Sequence, residues 1–138
     1  MEKDCPTILA FQYAPIGILM SEHRVIVDYN DRFQETFGYG DRDMRGQSLE
    51  LLYPSVQDFD HIGDTLPDKM KTSGRHWDER LMKRASGELF WCRVRGQTLS
   101  PGAPFEKAIW TFADLSEVRP TITLTERERQ VAARLAEG

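Results

Sequence analysis

Apolar residues along this chain change their period several times, and each change marks an element. Ile8, Leu9, Phe11 and Tyr13 cluster after Pro6, which predicts one or two helical turns within residues 1–14. Ile16 to Met20 and Val25 to Val27 flank the polar stretch Ser21-Glu22-His23-Arg24, the pattern of two short strands joined as a hairpin. Phe33 and Phe37 stand four apart on one helix face, begun near Asn30-Asp31 and ended by Gly38-Tyr39-Gly40. Brief helical turns are predicted from Asp41 to Leu52, followed by a longer helix capped by Ser55 with Phe59, Ile62 and Leu66 on its apolar face. Pro67 is expected to end or kink that helix, because it removes an interior hydrogen bond.

Beyond Gly74 the period falls to two. Strands are predicted at residues 76–84, 88–99 and 105–115, divided by Ala85-Ser86-Gly87 and by Ser100 to Pro104. In the middle strand Phe90, Cys92 and Val94 alternate with Trp91, Arg93 and Arg95, so one sheet face is apolar and the other amphipathic. The last segment, Thr125 to Gly138, returns to helical spacing: Thr125 and Glu128 form a capping box, and Val131 and Leu135 share a face. Pro120 separates it from what precedes.

Composition narrows the classes. With 138 residues, 40% hydrophobic and 29% charged, one ordinary globular domain and a short appendage are expected. A net charge of -4 carries no nucleic-acid signature, since a DNA-binding domain needs a clustered basic surface. Two distant cysteines, Cys5 and Cys92, make no disulfide framework or zinc site and fit a reducing compartment, so a cytoplasmic protein is expected. No window approaches a membrane span or a signal peptide, and no membrane partner is expected.

Two family resemblances sharpen this reading. Leu124-Thr125-Glu126-Arg127-Glu128-Arg129-Gln130-Val131, continuing to Leu135-Ala136-Glu137-Gly138, resembles the opening of the LuxR-type helix-turn-helix domain. On that resemblance residues 124–138 are its first helix, the chain is truncated after it, and DNA contact belongs to a longer protein. Residues 15–117 resemble a PAS domain: Ala14-Pro15-Ile16-Gly17-Ile18 is similar to its first strand and Val27-Asp28-Tyr29-Asn30 to its second with the capping asparagine. Phe37-Gly38-Tyr39, Ser86-Gly87 and the closing Asp114-Leu115-Ser116-Glu117 continue the likeness. The proline many PAS domains carry after that asparagine is missing, but the capping logic survives, and Asn30 is read as structural. The implied fold is α+β, a five-stranded antiparallel sheet with short helices on one face. Residues 1–14 then form an N-terminal helical cap and 118–123 a linker.

PAS domains hold different ligands, so each cofactor is weighed on its own residues. In light-sensing members of the LOV type a cysteine within a Gly-x-Asn-Cys run forms the flavin photoadduct; Gly46-Gln47-Ser48-Leu49 stands in that place, and leucine excludes the adduct. His61 sits close to the position of the proximal histidine in haem-binding oxygen sensors. It is a lone histidine, however, and Phe59 and Ile62 suffice for the core face, which puts His61 on the solvent side and disfavours haem; His23 and His76 are read as solvated. No catalytic constellation and no phosphate-cradling loop is recognisable, so no enzyme activity is expected. Arg75, Arg80, Lys83, Arg84, Arg93 and Arg95 read as a solvated sheet edge or partner contact, the alternative being an inward Arg80 neutralising an acidic ligand.

What remains is a pocket. Strand alternation puts Trp110 and Phe112 on one face with Cys92, Val94 and Met82, and Ile62 and Leu66 close it from the helix. A small, mostly apolar cavity follows, suited to a small neutral ligand, with no cofactor firmly implied. Asp114 and Ser116 are expected to relay the signal from the last strand into the linker. The function expected is a sensing and dimerisation domain of a bacterial transcription regulator with a LuxR-type output. A haem-based gas sensor using His61, or a ligand-free dimerisation module built on Trp91, Leu9, Phe11 and Tyr13, are the alternatives.

Overall fold

The computed structural model describes residues 5–119. Helix α1 spans Pro6–Gln12, with proline at the first position where its missing N–H costs nothing. Strands β1 (Gly17–Glu22) and β2 (Val25–Tyr29) form a hairpin. The turn is tighter than the sequence suggests: only His23 and Arg24 lie between the strands, both in the left-handed region at φ 51 and 63, the geometry whose twist suits a two-residue hairpin. Ser21 and Glu22 are strand residues, because Ser21 is buried and its hydroxyl accepts from the Trp110 indole at 2.8 Å.

Helix α2 runs Asp31–Phe37. Asn30 Oδ1 accepts from the Phe33 amide, and Gly38 at φ 77 ends the helix in a conformation an L side chain resists. A 3-10 turn, Leu49–Leu52, is capped by the Ser48 hydroxyl. Helix α3, Val56–Met70, starts at Ser55, whose hydroxyl accepts from the Asp58 amide. Pro67 lies inside α3, which continues to Met70. Leu66 and Met70 are buried at 2% and 0% exposure, and burying two such side chains offsets the ~3 kcal/mol cost of an interior proline.

Strands β3 (Arg75–Lys83), β4 (Leu89–Thr98) and β5 (Ala108–Asp114) complete one five-stranded sheet in the order β2-β1-β5-β4-β3, with every pairing antiparallel. The last strand therefore lies in the middle. One sheet face packs against α2, α3 and the 3-10 turn around Phe33, Phe37, Phe90 and Phe112, whose rings meet at centroid distances of 4.9–5.8 Å. On the other face Leu81 and Leu89 are covered by Trp91. Asn30 ties the N-terminal elements together: Oδ1 also accepts from the Ile18 amide, and Nδ2 donates to the carbonyls of Phe11 and Ile16. No described helix is long and apolar enough to cross a membrane. Thr125 and Glu128, with the rest of residues 120–138, lie outside the described residues.

Candidate functional site

A cavity lies where α3 crosses the inner face of the sheet. Ile62 and Leu66, four apart, project from one side of α3; Met82 from β3, Val94 from β4 and Trp110 and Phe112 from β5 form the floor. Leu49, Leu52 and Tyr53 close one side, and Phe105 from the β4–β5 loop another. Arg24 and Arg80 complete the lining. The free space is about 10 Å3, room for a single water. Six of the seven residues grouped by sequence thus meet around this space. Cys92 does not: it is fully buried on the same face of β4 but outside the lining, and burial, helped by Asp114, pushes its thiol up to about 12.

The lining is not uniformly apolar. Arg80, read from sequence as a surface residue, turns inward, and its side chain is only 12% exposed. The reason is parity: β3 pairs with β4 so that Asp78 faces Val94, Arg80 faces Cys92 and Met82 faces Phe90, which puts all three on the inner face. Arg80 Nε and Nη2 grip the two Asp78 carboxylate oxygens at 2.7 and 2.6 Å, and Nη1 donates to the Tyr53 hydroxyl at 3.2 Å. Burial works against ionisation of Asp78, but the Arg80 guanidinium, then His76, outweigh it and hold its carboxyl below the usual range. His76, expected to be solvated, instead sits 3.1 Å from Asp78 with its side chain 22% exposed.

Arg24 enters from the hairpin turn. Its Nη2 donates to the Phe59 carbonyl at 3.0 Å and to the Tyr53 hydroxyl at 3.5 Å. The guanidinium carbon lies 3.6 Å from the Phe59 ring centroid and 5.1 Å from that of Phe105. Two guanidinium groups therefore converge on the Tyr53 hydroxyl, while Leu66, Met82, Val94 and Phe112 supply apolar lining. His61 stands elsewhere: it is exposed on α3 and does not line the cavity. Leu49 lines it with a hydrocarbon side chain.

Arg84 is likewise not a solvated edge residue, being 18% exposed. Its Nη2 donates to Asp114 at 2.8 Å and to the Ser116 hydroxyl at 3.2 Å, its Nη1 to the Thr36 carbonyl at 2.5 Å, and its Nε to Glu88 at 2.7 Å. The guanidinium also lies over Phe90 at 3.9 Å. Asp114 Oδ1 accepts from the Ser116 amide and hydroxyl. Burial opposes ionisation of Asp114, yet these Ser116 bonds and the Arg84 charge keep its carboxyl below the usual range. The end of β5 is thereby fastened to the end of α2 and to the β3–β4 turn. Phe112, in the cavity lining, precedes Asp114 by two residues on the same strand.

Parity counted back from Met82 was the sequence signal for Arg80 and Asp78. Arg24, Leu49, Tyr53 and Phe105 come from turns and loops, where no period indicates direction. Among the described residues no cluster of His, Cys, Asp or Glu is arranged to hold a metal ion.

Comparison with known proteins places this geometry. The PAS domain of a LuxR-family transcriptional regulator from Burkholderia thailandensis, solved in complex with ethanol, is 47% identical, with a TM-score of 0.75 over 78% of this chain and 95% of that one. A PAS domain from Colwellia psychrerythraea shares the fold at 20% identity, with a TM-score of 0.69 over 78% of this chain and 92% of that one. The sensor protein TdiS of Thauera aromatica is 33% identical over 111 residues, 80% of this chain, which spans only 20% of the length of that relative. The family model described as PAS domain matches residues 15–117. The chain belongs to the PAS domain family, whose members are sensing and signalling modules.

Proposed function

We propose that this PAS domain is the input module of a transcription regulator: a small molecule enters the cavity between α3 and the sheet, and its occupancy is read through β5 by a LuxR-type DNA-binding unit. The observation that carries the reading is the continuity of β5. Phe112 lines the cavity, and Asp114, two residues on, is held by Arg84 and Ser116 where the chain leaves the sheet. A ligand that lifts α3 or shifts Phe112 moves a strand whose end is clamped to α2, and a differential affinity for the two arrangements is all that a population shift requires. The ethanol complex of the similar LuxR-family domain and the LuxR-like wording of residues 124–138 support the same reading.

Two measurements test it. Short-chain alcohols should raise the melting temperature of the domain in a saturable way, and filling the cavity with Leu66→Trp should abolish the effect. A chain extended past Gly138 should bind a palindromic promoter site as a dimer; failure at low salt would sink the DNA-binding part. A second observation favours self-association: Leu9 and Tyr13 of the N-terminal segment are 39% and 69% exposed, and α1 buries none of its own residues. Sedimentation as a monomer at high concentration would remove the homodimer.

A further inference from the structure

We propose that the molecule this cavity takes is a small carboxylic acid with an apolar body, bound as its carboxylate at the Arg24–Tyr53 corner; the inference rests on the cavity being the ligand site. The two cations at that corner are not equivalent. Arg80 is neutralised by the two-point grip on Asp78. Arg24 has no carboxylate in salt-bridge range among the described residues, and its partners are a carbonyl, a phenol and aromatic faces. It is nonetheless carried to the cavity from a left-handed backbone at φ 63, a conformation a non-glycine residue adopts at a cost.

Tyr53 supplies the second argument. Its hydroxyl accepts from both Arg24 and Arg80, and donates to no acceptor among the described residues. A phenol has one proton to give. That proton, together with the N–H groups of Arg24 Nε and Nη1 that no described acceptor takes up, makes a set of donors with an uncompensated positive charge behind it. An anionic oxygen pair answers both needs, and the planar guanidinium fits a carboxylate. A second polar group on the ligand would find no partner among Leu66, Met82, Val94 and Phe112, which are hydrocarbon or thioether, nor at the Trp110 indole, which is committed to Ser21. A free space of about 10 Å3 holds one water, so even a body of one ring or a short branch enters only with displacement of α3, which favours the smallest acids. The expectation of a neutral ligand rests on a mostly apolar cavity; the arginines in its lining change the class.

The test compares benzoate with benzyl alcohol, and isobutyrate with isobutanol, by calorimetry on the intact chain at neutral pH. The acids should bind more tightly than the matched alcohols. Arg24→Gln should weaken the acids about 10- to 100-fold, the effect of losing a charge-assisted hydrogen bond, and the alcohols by less than about 10-fold, the effect of losing a neutral one. Gly63→Ala offers a variant that retains the arginine: a Cβ there stands 2.5 Å from Arg24 Nη1 and displaces it, while alanine favours the helix. It should reproduce the loss for the acids without lowering stability. Acids and alcohols binding equally, with both variants indifferent, would overturn the carboxylate and leave the ligand site standing. No binding by any of the four would overturn the ligand site itself.

Discussion

Truncating Asn30 to alanine is the most demanding stability test the fold offers. Asn30 is fully buried, and its amide makes four hydrogen bonds of 2.8–3.1 Å: to the amides of Ile18 and Phe33 and the carbonyls of Phe11 and Ile16. A neutral hydrogen bond contributes about 1 kcal/mol net, and leaving a buried partner unsatisfied costs at least as much. The bond to Phe33 is also the N-cap of α2, itself worth about 1 kcal/mol. Asn30→Ala should therefore cost about 4 kcal/mol. With a urea m-value of about 1.5 kcal/mol/M, the unfolding midpoint falls by about 2.7 M. Asn30→Ser keeps an acceptor for the cap alone and should recover about 1 kcal/mol. Because Asn30 Nδ2 holds the Phe11 carbonyl, amide exchange across residues 6–12 should accelerate in both variants. An alanine variant within about 1.5 kcal/mol of the parent, or a serine variant no better than alanine, would refute the reasoning.

Three further outcomes are expected. A Cβ at Gly96 would stand 2.4 Å from the Trp110 ring, so Gly96→Ala should push that ring off its seat, loosen its bond to Ser21 and destabilise by about 2–4 kcal/mol in urea melts. The carboxyl of Asp114 titrates below its unfolded value, so its contribution is present above about pH 4 and fades as pH falls through the lower folded value; the deficit of Asp114→Asn, ~1 kcal/mol at pH 7, should vanish in acid melts. Of the two thiols, Cys5 is held below its ordinary range by backbone N–H groups of Ile8 and Thr7 at the start of α1, and Cys92 is pushed up to about 12. A thiol reagent at pH 8 should titrate one cysteine in the native protein and the second only after denaturant is added.

The periodic parts of the chain could be read well in advance. Alternation in Phe90, Cys92 and Val94 located the inner face of β4, and Phe59, Ile62 and Leu66 located the face of α3, because burial of one side imposes those periods. Boundaries moved where a tertiary contact decided them: Ser21 joined β1 once Trp110 had a use for its hydroxyl, and α3 ran through Pro67 once Met70 was buried. The apolar half of the cavity was legible for the same reason as the core. Its charged corner was not. Arg80 obeys strand parity but was assigned by residue type, and an arginine with a carboxylate two residues earlier on the same face can go inside. Arg24 reaches the site because a two-residue turn aims it there, and no periodicity describes a turn.

The sheet order has a kinetic consequence. Each outer pair, β1 with β2 and β3 with β4, can close as a local hairpin, but among the described strands the two pairs are joined into one sheet by β5, the last of them in the chain. As the chain emerges from a ribosome it holds two hairpins with open inner edges until residues 108–114 arrive between them. Folding should therefore be gated by insertion of β5, with a slow main phase set by its contacts to Gly17–Ser21 some ninety residues away. A fragment ending before Ala108 should aggregate.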